Sequence, residues 1–227
     1  AGGPVPVLGY CMGGTLAAGL AARLGPDTVR SLVTIGAPWD FASDEGLAGG
    51  LRALVRKSGD REAEALLAGY GQTFGLIPVT VFQLLFALIN PMQAALKFQR
   101  LAALDPDGPA TRLFVALEDW LADGVPMAPA TARDLLIGWH VRNETARGRW
   151  QFLGGAVVPA AIDMPVLSFC GRADSIAPPL LAEALPSAVP GARLVRPGTG
   201  HVGMVVGGQA RNAVWRPLAE FLNAGNG

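Results

Sequence analysis

Three residues in this sequence could together carry out covalent acyl chemistry: Cys11, Asp174 and His201. Cys11 lies in Val5 to Gly14, V-P-V-L-G-Y-C-M-G-G. A short apolar run stops at Gly9, and a helix-like run, Leu16 to Leu24, follows. Glycines at positions 9 and 13 suit a sharp strand-to-helix turn, because side chains there would collide. Such a turn lifts the sulfur off a sheet and aims it at a helix start. There the helix dipole and unpaired N–H groups favour an anion, and the backbone N–H of Met12 would point at a developing oxyanion. His201 would take the thiol proton as general base, while Asp174 would fix the imidazole tautomer and offset its charge. Taken singly, each residue has a plainer reading: a buried apolar thiol, a turn-capping aspartate and a loop histidine. Their conjunction favours the chemical one.

The elements that would position these residues are strands and helices in alternation. Thr15 to Leu24 is an alanine-rich helix stopped by Gly25-Pro26. Val29 to Ile35 reads as a second strand closed by Gly36-Ala37-Pro38. Strand, helix and strand at this spacing make a βαβ unit with a parallel sheet. Strand signals resume at Met164 to Phe169 and at Ala192 to Val195, with a helix around Pro179 to Leu185 between them and an amphipathic one over Trp215 to Leu222. All three reactive residues then fall at carboxyl ends of strands, where parallel sheets gather their functional groups. Their order, nucleophile then acid then histidine, is that of an α/β-hydrolase triad.

Between the two strand regions, residues from about 41 to 162 read as a helical insertion. Leu51 to Leu67 has the period of an amphipathic helix, and further helices are expected around Pro109 to Leu121 and Pro129 to Thr145. Residues 65–96 contain no charged side chain. Pro78, Gln83, Asn90 and Pro91 interrupt that stretch, leaving apolar runs shorter than the ~20 residues a membrane span needs. A lid helix, or an apolar face for a partner or lipid-like substrate, is the better reading. His140, in one of these helices, and Cys170, beside a buried strand, read as structural.

Bulk properties suit one ordinary domain with a sizeable core and much buried or partner-covered surface. The 227 residues are 51% hydrophobic and 16% charged, with mean hydropathy +0.35 and zero formal net charge. Zero charge argues against a nucleic-acid partner. Two well-separated cysteines do not make a disulfide framework and fit a reducing, cytoplasmic setting. Neither a metal nor a resident cofactor is expected.

Three segments resemble the polyhydroxyalkanoate synthases: G-Y-C-M-G-G at Gly9 to Gly14, G-R-A-D-S-I-A-P at Gly171 to Pro178, and G-T-G-H-V-G at Gly198 to Gly203. W-H-V-R-N-E at Trp139 to Glu144 is also similar to that family's segment before its last strands. The resemblance implies an α/β-hydrolase fold, a mostly parallel sheet with a helical lid inserted between strands, residues 1–227 forming one partial catalytic domain. It implies Cys11, Asp174 and His201 as the catalytic set. It also implies acyl transfer from a 3-hydroxyacyl-coenzyme A substrate to a polyester product, at a granule surface, with a homodimer formed through the lid. Dienelactone hydrolases share the cysteine box but are compact, and the long insertion before Asp174 does not suit them. A cysteine-box esterase or thioesterase and an inactive binding domain are the alternative functions.

Two features depart from the family pattern. After Trp120 only Asp123 matches the family's polar lid segment. An α/β-hydrolase also usually has several strands before its elbow, and one precedes it here. This chain is therefore expected to be a C-terminal part with N-terminal strands missing. Val5 to Leu8 would then be an unpaired apolar edge, and the second oxyanion donor, worth about 2.7–4 kcal/mol in the transition state, would come from elsewhere.

Overall fold

Residues 2–43, 46–89 and 91–224 are described in the computed structural model. Six strands form among them: β1 (Val5–Tyr10), β2 (Val29–Ile35), β3 (Gln151–Phe152), β4 (Gly155–Ala156), β5 (Val166–Phe169) and β6 (Arg193–Val195). The first two and last two make a four-stranded parallel sheet in the order β1-β2-β5-β6. The V-R-S-L-V-T-I run of β2 is buried along almost its whole length, as an interior strand covered on both faces must be. Among the described residues β1 pairs on one side only, with β2. Val5 and Leu8 are consequently 43% and 48% exposed, as expected for an apolar edge.

α1 (Met12–Leu24) returns the chain from β1 to β2 and packs on both. Its buried face is built from Gly14, Thr15, Ala17, Ala18 and Ala21, and these small residues bring the helix close to the sheet. On the other side of the strands, Val33, Ile35, Leu167, Phe169, Met204 and Val214 form a core. Leu218, Phe221 and Leu222 of the terminal helix, Arg216–Ala224, pack against it.

The chain divides into two compact units. One is the sheet with the chain up to Arg52 and from Gly138 onward; the other is Ala53–Ile137. Residues 41–52 and 138–162, read from the sequence as part of the insertion, thus belong with the sheet. Aromatic packing ties them there: Trp150 meets Trp39 and Trp139 edge to face, and Phe41 stacks on Trp139. Thr145 also donates its hydroxyl hydrogen to the Trp39 carbonyl.

Helices α2 (Gly46–Ser58), α3 (Asp60–Phe74), α4 (Val79–Ile89), α5 (Pro91–Ala102), α6 (Pro109–Ala122) and α7 (Pro129–Arg133) account for the region between. The single helix expected over Leu51 to Leu67 is two, divided at Gly59, whose φ is 89°. The helix expected over Pro129 to Thr145 ends early: α7 passes into a wider-wound turn, Asp134–Val141, and Asn143 at φ 52° closes it. Inside the second unit α3 packs on α7, Lys97 pairs with Glu118 at 2.5 Å, and Phe98 meets Phe114 edge to face. Leu66, Phe74, Trp120 and Val125 stay exposed. The charge-free stretch is split between α3, α4 and α5, and no described helix is long and apolar enough to cross a membrane.

The turn from β1 into α1 has a steric basis that differs from expectation at one position. A Cβ on Gly9 would overlap the carbonyl of Gly13, and one on Gly14 would lie 2.6 Å from the Ala37 Cβ. A Cβ on Gly13 would meet nothing within 4 Å. The glycines the turn requires are therefore Gly9 and Gly14, while Gly13 matters through its backbone. Gly9→Ala and Gly14→Ala are each expected to lower unfolding free energy by about 1–3 kcal/mol. Gly13→Ala should be neutral, or stabilising by up to about 1 kcal/mol through helix propensity. Urea denaturation of the three variants checks this ranking.

Candidate active site

Cys11 occupies the sharp turn between β1 and α1 with φ 55° and ψ −129°, a conformation that costs a non-glycine residue roughly 1–3 kcal/mol. Its N–H donates to the Ile35 carbonyl at 2.9 Å, which anchors the turn to the end of β2. Met12 opens α1, so its N–H is among the first-turn donors an α-helix leaves without an intrahelical partner. Cys11 itself is partly buried.

Asp174 lies in the loop after β5 and is itself buried, and both of its oxygens are engaged. Oδ1 accepts the N–H groups of Ile176 at 2.9 Å and Ala177 at 2.8 Å, while Oδ2 contacts Nδ1 of His201 at 2.6 Å. The turn-capping and histidine-orienting readings of this residue therefore hold together: the cap fixes the carboxylate that holds the ring. His201 is 7% exposed, and its Nε2 is buried without a hydrogen bond. The ring of Tyr10 lies 4.8 Å from the imidazole at 36°. Burial alone would depress the pKa of His201. The hydrogen bond His201 donates to Asp174, the adjoining Cys11 sulfur and the negative charge of both outweigh it and raise the value to about 9. Burial pushes the Tyr10 phenol in the opposite chemical sense, well above its ordinary value, with the charges of Cys11 and Asp174 adding to the rise. The phenol thus stays neutral.

The structure brings the three sequence-predicted residues together at the carboxyl edge of the sheet. It also shows contributors the sequence reading passed over. A Cβ on Gly36, which has φ 57°, would come within 2.9–3.0 Å of His201 Cε1 and Nδ1. Glycine is thus required where β2 ends against the ring; the G-A-P signal there reads only as a strand stop. Cys170 lies just past β5, and burial, with the charge of Glu183, pushes its thiol up to about 12. That rise favours the neutral thiol over the thiolate. His140 is buried and packs on Phe41 at 4.5 Å, within the aromatic cluster. Asp123 is the capping residue at the end of α6, in the other unit.

The raised His201 value has a consequence for stability. A group protonated more readily when folded than unfolded stabilises the fold below its unfolded pKa, and that contribution disappears as pH rises through the folded value. Thermal stability is therefore expected to fall between about pH 6.5 and about pH 9. Asp174→Asn, which removes the hydrogen-bonded charge, should flatten that fall. Melting curves recorded in steps from pH 6 to pH 10 would show it, and an identical slope in the variant would refute the pairing.

A sequence profile of the alpha/beta hydrolase fold matches residues 2–207. Among curated proteins, the chain is 27% identical over 221 residues to the poly(3-hydroxyalkanoate) polymerase subunit PhaC of Haloferax mediterranei, covering 96% of this chain and 43% of that one. It is 30% identical over 223 residues to the subunit of the same name from Allochromatium vinosum, covering 96% and 59%. The chain spans about half the length of the curated relatives it matches. A solved alpha/beta hydrolase fold protein from Nakamurella multipartita superimposes with a TM-score of 0.50 at 22% identity, covering 98% of this chain and 70% of that one, a likeness of fold alone. The chain belongs to the α/β-hydrolase fold family, and the curated relatives it resembles are poly(3-hydroxyalkanoate) polymerase subunits.

Proposed function

We propose that this chain carries the catalytic residues of a cysteine-dependent acyltransferase that polymerises 3-hydroxyacyl groups from coenzyme A thioesters. The observation that carries this reading is the buried Asp174–His201 pair, whose Nε2 is left without a partner beside the strained Cys11. Similarity to the polymerase subunits supports the choice of substrate class.

Cys11, its proton already held by His201 as imidazolium, attacks the thioester carbonyl. The tetrahedral oxyanion takes the N–H of Met12, and collapse expels the coenzyme A sulfur, which leaves with the proton from His201. The result is an acyl-Cys11 thioester. The 3-hydroxyl of a second acyl group then gives its proton to His201 and attacks that thioester. An ester forms and the cysteine is released. The first step exchanges one thioester for another, so attacking and leaving sulfurs are closely matched. Asp174 acts in both halves by holding the ring and balancing its charge. No resident cofactor or metal takes part. The exposed apolar side chains of the second unit, Phe74, Trp120 and Val125 among them, are the surface on which this reading places the polyester, the granule and a homodimer contact.

Incubating the protein with 3-hydroxybutyryl-coenzyme A should release coenzyme A together with an ethanol-insoluble polymer. Cys11→Ala should abolish release, and Asp174→Asn should lower it on the order of 10³- to 10⁴-fold by misdirecting the tautomer. Release with free acid as the sole product would identify a hydrolase instead, and unchanged release from Cys11→Ala would sink the assignment.

A further inference from the structure

The segment that leaves β2 runs between the two reacting groups. Ile35 accepts the Cys11 N–H, and Gly36 abuts the His201 ring. Ala37 lies against Gly14, and the Pro38 carbonyl accepts the Thr15 hydroxyl at 2.6 Å, so the same segment grips the first turn of α1. Its middle is tied to Leu181, whose carbonyl accepts the N–H groups of Trp39 and Asp40 at 2.9 and 3.1 Å. Its far end is held by one buried side chain from much later in the chain. Asn143 Oδ1 accepts the Phe41 N–H at 2.9 Å, and Asn143 Nδ2 donates to Asp40 Oδ1 at 2.7 Å. That oxygen also accepts the Ala42 N–H at 2.9 Å.

Asn143 is 6% exposed and sits at φ 52°. Asparagine is one of the few residues with a side chain that adopts this conformation readily. Its amide spends acceptor and donor on adjacent residues of one strap, which neither an aspartate nor a leucine could do.

We propose that Asn143, paired with Asp40, is a positioning residue that fixes the 36–42 strap and thereby sets the gap between the Cys11 sulfur and His201. The inference rests on the Cys11–His201–Asp174 reading of the site. A strap released at its outer end lets Gly36 withdraw from the imidazole and Ala37 from Gly14, and a misplacement of about 1 Å at a reacting pair can cost about 10²-fold in rate.

The test is a swap. Asn143→Asp keeps the acceptor for Phe41 but sets a carboxylate against Asp40. Asp40→Asn keeps an acceptor for Ala42 and for the Asn143 amide. The double variant restores a donor–acceptor pair with the roles exchanged. Two readouts are taken near neutral pH on variants that melt cooperatively: kinetics of coenzyme A release, and the rate at which iodoacetamide alkylates Cys11. Asn143→Asp is expected to lower kcat about 10-fold with KM within about 2-fold, and to slow alkylation by a similar factor. Asp40→Asn should remain within about 3-fold of the parent, and the double variant should recover to that level. Should Asn143→Asp fail to fold, Asn143→Gly, which accepts the backbone angle and lacks the amide, takes its place with the same expected loss. A folded Asn143 variant with a lowered melting temperature but parental kcat and alkylation would overturn the proposal, as would a folded double variant that recovers neither. Alkylation needs no acyl substrate. If the parent releases no coenzyme A while the alkylation pattern holds, the acyltransferase reading fails and the positioning role stands.

Discussion

The parallel register of the sheet decides how the reacting groups can meet. Tyr10 pairs with Ile35, Ile35 with Phe169 and Phe169 with Val195, so all four strands end on one level row. Cys11 follows immediately after the first strand of that row, and the loops bearing Asp174 and His201 follow the last two. A slip of one residue would reverse every side chain between the two faces of a strand. It would also separate Cys11 from the carbonyl that receives its N–H. The site thus inherits its precision from buried apolar pairing in β2 and β5.

Above that row, the electrostatics follow from burial. A solvated carboxylate beside His201 would act weakly; Asp174 is 4% exposed and committed through both oxygens, so its charge acts on the ring with little screening. The imidazole is held charged to about pH 9 although burial opposes it. The same burial, with no positive partner strong enough to offset it, raises Cys170 to about 12. The two cysteines thus stand in different surroundings: Cys11 at a helix start near His201, Cys170 buried just past β5.

How much of this can be read from sequence depends on the range of the interactions. The strands β1, β2 and β5, and α1, announce themselves through local composition, and the cysteine, aspartate and histidine each stand in a short glycine-containing segment. The β3–β4 hairpin is not legible. Its turn puts Leu153 and Gly154 at φ 47° and 75°, and Leu-Gly lacks the asparagine or aspartate that usually marks such a turn. The division between the two units is hidden as well, because it rests on aromatic contacts from Trp139 and Trp150 to Trp39 and Phe41 across about a hundred residues. Gly13 misleads for a related reason. Which glycine of a turn must lack a side chain depends on what packs over it, here Ala37 and the Gly13 carbonyl itself.

The elbow is supported unequally on its two sides. On the helix side, Gly14 against Ala37 and Thr15 on Pro38 lock it in place. On the strand side, among the described residues, β1 hydrogen-bonds to β2 alone and leaves Val5 and Leu8 exposed. The backbone strain at Cys11 is held in part by the single anchor from its N–H to Ile35. The segment that continues from Ile35 also bears on His201, so Cys11 and His201 both abut the end of β2. A side-chain amide more than a hundred positions away hydrogen-bonds both Asp40 and Phe41 farther along that segment.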